Sequence, residues 1–88
     1  RQVTEFGEHV RGWRMVLGLT AQQVSERAGI TRDTLRKIES GNPNVSFNSV
    51  TQVLRALGIL DQLVDAADPL ASDIGRLRAG RLTRKRAR

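Results

Sequence analysis

An all-α domain of five short helices followed by a basic C-terminal tail is what this sequence predicts, and three observations predict it. Apolar residues make up 39% of the 88-residue chain while aromatic ones make up 3%, with no tyrosine, so the core has to be built from Leu, Val, Ile and Ala, a balance that favours helices over a sandwich. Those apolar residues recur at helical spacing. Between the periodic stretches stand Gly, Ser and Thr at positions where helices stop and start. A chain of this length makes one domain with a modest core. That domain is expected over residues 1–68, with residues 69–88 as a basic extension.

The first helix is read from Val3 to Leu17, because Phe6, Val10, Trp13 and Leu17 fall at i, i+4, i+7 and i+11 while Glu5, Glu8, Arg11 and Arg14 lie between them. Gly18 is placed to end it. Thr20 with Gln23 three residues on has the spacing of a capping box, which starts a second helix over Ala21 to Ala28. Gly29 supplies a turn position where positive φ is tolerated, Ile30 plugs inward, and Thr31 caps a third helix from Arg32 to about Ser40. The turn formers Gly41, Asn42, Pro43 and Asn44 make a loop, after which Ser46 caps a fourth helix from Phe47 to Leu57. A fifth runs from about Leu60 to Ala67 and closes at Pro69. Ser72 and Asp73 open one last short helical turn.

The net charge of +6 lies entirely at the C-terminal end: residues 71–88 hold seven Lys/Arg against one Asp, whereas residues 1–70 balance eight against eight. A basic run of this kind has a polyphosphate backbone as its best anionic partner. Absence of cysteine excludes a disulfide framework and thiolate metal sites. One histidine, no cysteine and no phosphate-cradling glycine loop argue against an enzyme, and no cofactor or metal is expected. No apolar run reaches the length of a membrane span, and the opening residues lack the apolar core of a signal peptide. The expected setting is therefore cytoplasmic, with no membrane partner.

The informative unit is residues 20–41, TAQQVSERAGITRDTLRKIESG, in which a tight glycine turn sets one capped helix across another. In the third helix Leu35 and Ile38 face the core with Ile30 and Val24, leaving Arg32, Asp33, Thr34, Arg36 and Lys37 outward. Such a face suits a major groove: arginine grips guanine O6 and N7 with two hydrogen bonds, a carboxylate accepts from the cytosine amino group, and threonine offers a methyl to thymine. Those five are the candidate base-reading residues.

Over RMVLGLTAQQVSERAGITRDTLRKIESG, and more loosely over residues 6–60, the sequence resembles the Cro/cI-type (XRE) helix-turn-helix regulators. Within them it is similar to the HipB-like antitoxin regulators, where GITRDTLRKIESGNPNVSF runs into VLRALGILDQLVDAADP and then a basic tail. The resemblance implies a five-helix domain with the third helix as recognition helix, a homodimer on a palindromic operator in double-stranded DNA, and a bacterial transcriptional repressor that can control its own promoter. It also implies a structural ion pair between Arg14 and Glu39, and phosphate contacts from the loop after the third helix, at Ser40, Asn42 and Asn44. Members commonly carry Gln at the first position of the second helix, which here is Ala21, so either Gln22 or Gln23 takes its phosphate contact or the tail makes up the difference. Thr31 and the tail residues Arg84, Lys85 and Arg86 complete the expected phosphate set. Leu60, Leu63, Val64 and Ala67 form an apolar stripe expected at the dimer interface. The resemblance leaves a rival function open: an antitoxin that sequesters a HipA-like kinase toxin and binds its promoter as a second activity.

Each of these readings has a plainer competitor. His9 has no second ligand near it and reads as a solvated side chain. Trp13, Phe6 and Phe47 read as core, which disfavours RNA binding, since single-strand modules need exposed aromatic stacking platforms.

Overall fold

The computed structural model describes residues 1–82. Its order is α1 (Gln2–Val16), α2 (Ala21–Ala28), α3 (Arg32–Glu39), α4 (Phe47–Ala56) and α5 (Leu60–Ala67), then a 3-10 turn (Pro69–Ala71) and α6 (Asp73–Leu77). The described residues contain no strand. The sequence reading of an all-α domain holds, and the boundaries of the five main helices fall within a residue of those expected.

The helix starts follow from side-chain chemistry. Thr20 accepts from the Gln23 amide at 3.0 Å while the Gln23 side chain accepts from the Thr20 amide at 2.8 Å, closing the capping box at the head of α2. Thr31 and Ser46 cap α3 and α4 by accepting from the amides of Thr34 and Ser49, each at 3.1 Å. Between α2 and α3, Gly29 takes φ +69°, a left-handed conformation that side chains with a Cβ resist, and the Ile30 amide closes on the Ser25 carbonyl at 3.0 Å. This turn sets α3 across α2.

The core is formed by Val10 of α1, Val24 and Ala28 of α2, Leu35 and Ile38 of α3, and Val53, Leu54 and Leu57 at the end of α4, all buried. Phe6, Leu19, Ile30, Val50, Leu60 and Leu63 are half-buried against it. Helix α2 packs on α3 and α4, α1 packs on α3, and α5 packs on α4. Ser25 is the one buried polar residue among those described, and its hydroxyl donates to the Ala21 carbonyl at 2.7 Å. The 3-10 turn and α6 pack on each other, and the turn packs on α5.

The apolar face of α1 differs from the one expected. Gly7, Val10 and half-buried Arg14 face inward with Phe6, whereas Trp13 is 40% exposed and Leu17 lies exposed at the C-cap. The cause is Gly7. A Cβ placed there would lie 2.5 Å from the Ile38 carbonyl oxygen and 2.7 Å from that of Glu39, so bare backbone lets α1 settle directly on the end of α3. With Gly7 and Arg14 at the centre of the contact, Trp13, about 100° round the helix from Arg14, is turned to the rim. Phe47 is a second correction: it is 73% exposed because the first turn of α4 overhangs the core that Val50, Val53, Leu54 and Leu57 complete one turn later. Of the three aromatic residues read as core, only Phe6 packs there. Two of the three rings therefore reach the surface, so burial of the aromatics does not by itself argue against RNA binding.

Candidate nucleic-acid interface

The position of α3 is set by a charged strut between α1 and α3. Arg14 donates from Nε to Glu39 Oε2 at 2.7 Å and from Nη2 to Oε1 at 2.9 Å, a two-pronged pair whose side chains are 15% and 11% exposed. The remaining Nη1 donates to the Leu19 carbonyl at 3.4 Å, tying the α1–α2 turn to the same point. Hydrogen bonding to the Glu39 carboxylate holds the Arg14 guanidinium above its ordinary pKa. The strut and the Gly7 contact hold the C-terminal end of α3 on α1, and the Gly29 turn holds its N-terminal end on α2.

With Leu35 and Ile38 buried, α3 turns Arg32, Asp33, Arg36 and Lys37 to solvent. Thr34 is different: it is half-buried, and its hydroxyl lies 3.0 Å from that of Thr31 within the helix cap. Asp33 is also occupied. One carboxylate oxygen pairs with Arg36 and the other lies 3.3 Å from the Lys37 ammonium. Hydrogen bonds from Arg36 and then Lys37 hold the Asp33 carboxyl below the usual carboxylate range, so it is charged at neutral pH.

Between α1, the start of α2 and α3 runs an open groove of about 730 Å³, lined by Arg11, Arg14 and Ala21 and, from the α3 region, by Arg32, Arg36 and Ser40 together with the carboxylates of Asp33 and Glu39. Ala21 thus forms a small apolar wall where the resemblance led us to expect a glutamine. Neither neighbouring glutamine lines the groove: the Gln22 amide donates to Glu26 at 2.9 Å, and Gln23 closes the capping box. Arg11, by contrast, lines it and has no ion-pair partner among the described residues. Sequence reasoning placed Arg11 only on a polar face. The available signal was its spacing, one turn before Arg14. Gly7 was missed as well, and the pattern offered no signal for it, since Gly12 stands in the same helix with open space around it.

Of the expected phosphate-contact residues, Ser40 lies at the C-cap of α3, with its hydroxyl donating to the Lys37 carbonyl at 3.0 Å. Asn42 folds the following loop by accepting from the Asn44 amide at 2.8 Å, and both asparagines are exposed. Arg84, Lys85 and Arg86 lie outside the described residues. The expected dimer residues divide: Leu60 and Leu63 are spent partly on the chain's own core, while Val64, 60% exposed, and Ala67 face outward. Leu70 of the turn and Ile74 and Leu77 of α6 are exposed as well.

Two capped helices joined by a left-handed glycine turn, the second presenting a basic face, define a helix-turn-helix domain. The chain belongs to the helix-turn-helix domain family, in its Cro/cI-like (XRE) form, whose family model matches residues 5–67. An uncharacterized HTH-type transcriptional regulator of Methanothermobacter thermautotrophicus is 39% identical over 49 residues, which cover 56% of this chain and 71% of that protein. No solved structure matches the chain significantly. Among the described residues no helix is long and apolar enough to cross a membrane.

Proposed function

We propose that this protein is a sequence-specific DNA-binding transcriptional regulator that inserts α3 into the major groove as one half of a dimer on a palindromic operator. The observation that carries this reading is the presentation of Arg32, Arg36 and Lys37 on a short helix braced at both ends, by the Gly29 turn and by the Arg14–Glu39 strut. Bracing matters because base readout requires donors placed to within a fraction of an ångström, and a swinging helix would make only phosphate contacts. The family membership and the similarity to an HTH-type transcriptional regulator point the same way.

Dimerisation is supported by the exposure of four large apolar side chains towards the end of the described chain, Val64, Leu70, Ile74 and Leu77, the last 86% exposed, which a monomer would leave in water. One such helix reads only a few base pairs, and two-fold pairing multiplies the discrimination. Repression by occlusion of a promoter follows as the simplest mode. The same side chains would serve the antitoxin reading if a second protein, rather than a second copy, covers them. Co-purification with the product of a neighbouring kinase-like gene would favour that reading.

The deciding experiment titrates the chain against the DNA upstream of its own gene and against scrambled DNA of equal length, across a salt series. Specific readout predicts a preference of roughly 10³ or more. Equal, steeply salt-dependent binding to both would reduce the protein to a phosphate binder.

A further inference from the structure

We infer that Asp33 is a positioning and specificity-determining residue of the recognition helix, one that holds Arg36 and Lys37 in the free protein and withholds them from bare phosphate backbone. This inference rests on the DNA-binding reading above. Asp33 lies in the first turn of α3, three residues before Arg36 and four before Lys37, so both cations project onto the face it occupies. Its two oxygens are divided between them, one pairing with Arg36 and the other 3.3 Å from Lys37. The three residues together therefore carry +1 rather than the +2 of the cations alone. Arg32 is the one α3 cation with no carboxylate partner among the described residues.

Two consequences follow from this arrangement. Non-specific binding has only phosphate attraction to draw on, so neutralising one of the two cations weakens it most, while a two-pronged base contact at short range can replace the internal pair with a better one. Direction matters too. Pairing draws the long Arg36 and Lys37 side chains back toward the N-terminal turn, the end of a recognition helix that meets base edges, and limits the rotamers they sample beforehand. The carboxylate itself is favoured at that end by the helix dipole. Asp33 thus acts on the bases through its two neighbours, in place of the direct cytosine contact its residue type first indicated.

The test is a double-mutant cycle of D33N and R36A, read as affinity and salt slope on two duplexes: the tightest one the wild-type chain selects from a random-sequence pool, and a scrambled version of it. E5Q serves as the charge control, because Glu5 forms a comparable pair with Arg1 at 3.6 Å on the first turn of α1. Asp33 is exposed, so D33N is expected to melt within a few degrees of wild type. The expected result is a several-fold gain by D33N on scrambled DNA, with a salt slope steeper by roughly 1 to 2. The selected duplex should show no gain, and the part of the scrambled-DNA gain that Arg36 supplies should vanish in the R36A background, leaving the part from Lys37. Equal gains on both duplexes, additivity with R36A, or the same gain from E5Q would overturn the inference and leave Asp33 a simple negative charge. A loss confined to the selected duplex and persisting in R36A would overturn it in favour of direct base contact. Failure of the wild type to bind or select any duplex is a distinct result, visible before any variant is compared, that removes the DNA-binding reading and this inference with it.

Discussion

Arg14 links α1 to α3 through a single side chain, because its two bonds to Glu39 fix the far end of the helix that presents Arg32, Arg36 and Lys37. With both side chains mostly buried, truncating one partner leaves the other charge poorly solvated, and Arg14→Ala is expected to cost about 2–3 kcal/mol. That lies just under the usual range for a fully buried pair, because the Arg14 side opens onto the groove. Chemical denaturation reads this directly. Arg32→Ala and Arg36→Ala should behave oppositely, leaving stability within about 0.5 kcal/mol and costing about 1–3 kcal/mol of cognate binding if each grips a guanine. Equal weakening on scrambled DNA would assign either arginine to phosphate instead. For Asp33 the pKa is lowered in the folded state, so its contribution to stability is present above the unfolded value of about 3.9 and is lost only as pH falls through the lower folded value. Between pH 8 and 5 this group should therefore leave stability flat, and a carboxyl-carbon NMR titration should place its midpoint below the ordinary carboxylate range.

At the scale of elements, the decisive contact is backbone on backbone between α1 and the end of α3. Gly7 rests on the Ile38 and Glu39 carbonyls, and a Cβ at Gly41 would come within 2.6 Å of the Thr4 Cα, so the two segments have no room for even a methyl group. Gly7→Ala raises intrinsic helix propensity by about 1 kcal/mol but forces α1 and α3 apart, and a net loss of about 1–3 kcal/mol is expected. Separation of the helices would also stretch the Arg14–Glu39 strut. Cognate affinity should fall along with the melting temperature, whereas Gly12→Ala, on the same helix with open space around the missing Cβ, should be neutral or stabilising. A Gly7→Ala protein as stable as wild type would show that the contact carries no weight.

For the whole molecule, charge is unevenly divided: residues 1–70 are balanced and the whole excess of +6 lies in residues 71–88. Val64→Asp, at an exposed position on α5, should leave the monomer folded while shifting sedimentation from dimer to monomer and weakening operator binding more than binding to a half-site. A wild-type chain that sediments as a monomer both free and on DNA would remove the dimer. Deleting residues 81–88 takes away five of the fifteen Lys/Arg and should flatten the salt dependence by roughly 0.9 for each phosphate that the shortened chain no longer neutralises, leaving the preference for cognate over scrambled DNA intact. An unchanged slope would mean that this segment does not touch DNA.

Local chemistry made most of the fold legible in advance. Thr20 with Gln23, Gly29, Thr31 and Ser46 are start and stop signals that act within a few residues, and the spacing of Leu35 and Ile38 set which side of α3 is buried. The outward set of Arg32, Arg36 and Lys37 followed from that burial. What the chain's order could not express was how one helix lies against another. The rotation of α1 that buries Arg14 and leaves Trp13 at the rim depends on Gly7 meeting the end of α3, far away in sequence. The recruitment of Arg11 to the groove depends on the same placement, and the exposure of Phe47 depends on where α4 outruns its neighbours. Sequence by itself determined the helices, their caps and the outward face of α3, because those are settled by interactions within one turn; the tertiary structure alone decided which neighbours share the groove, because that is settled by packing between turns far apart in the chain.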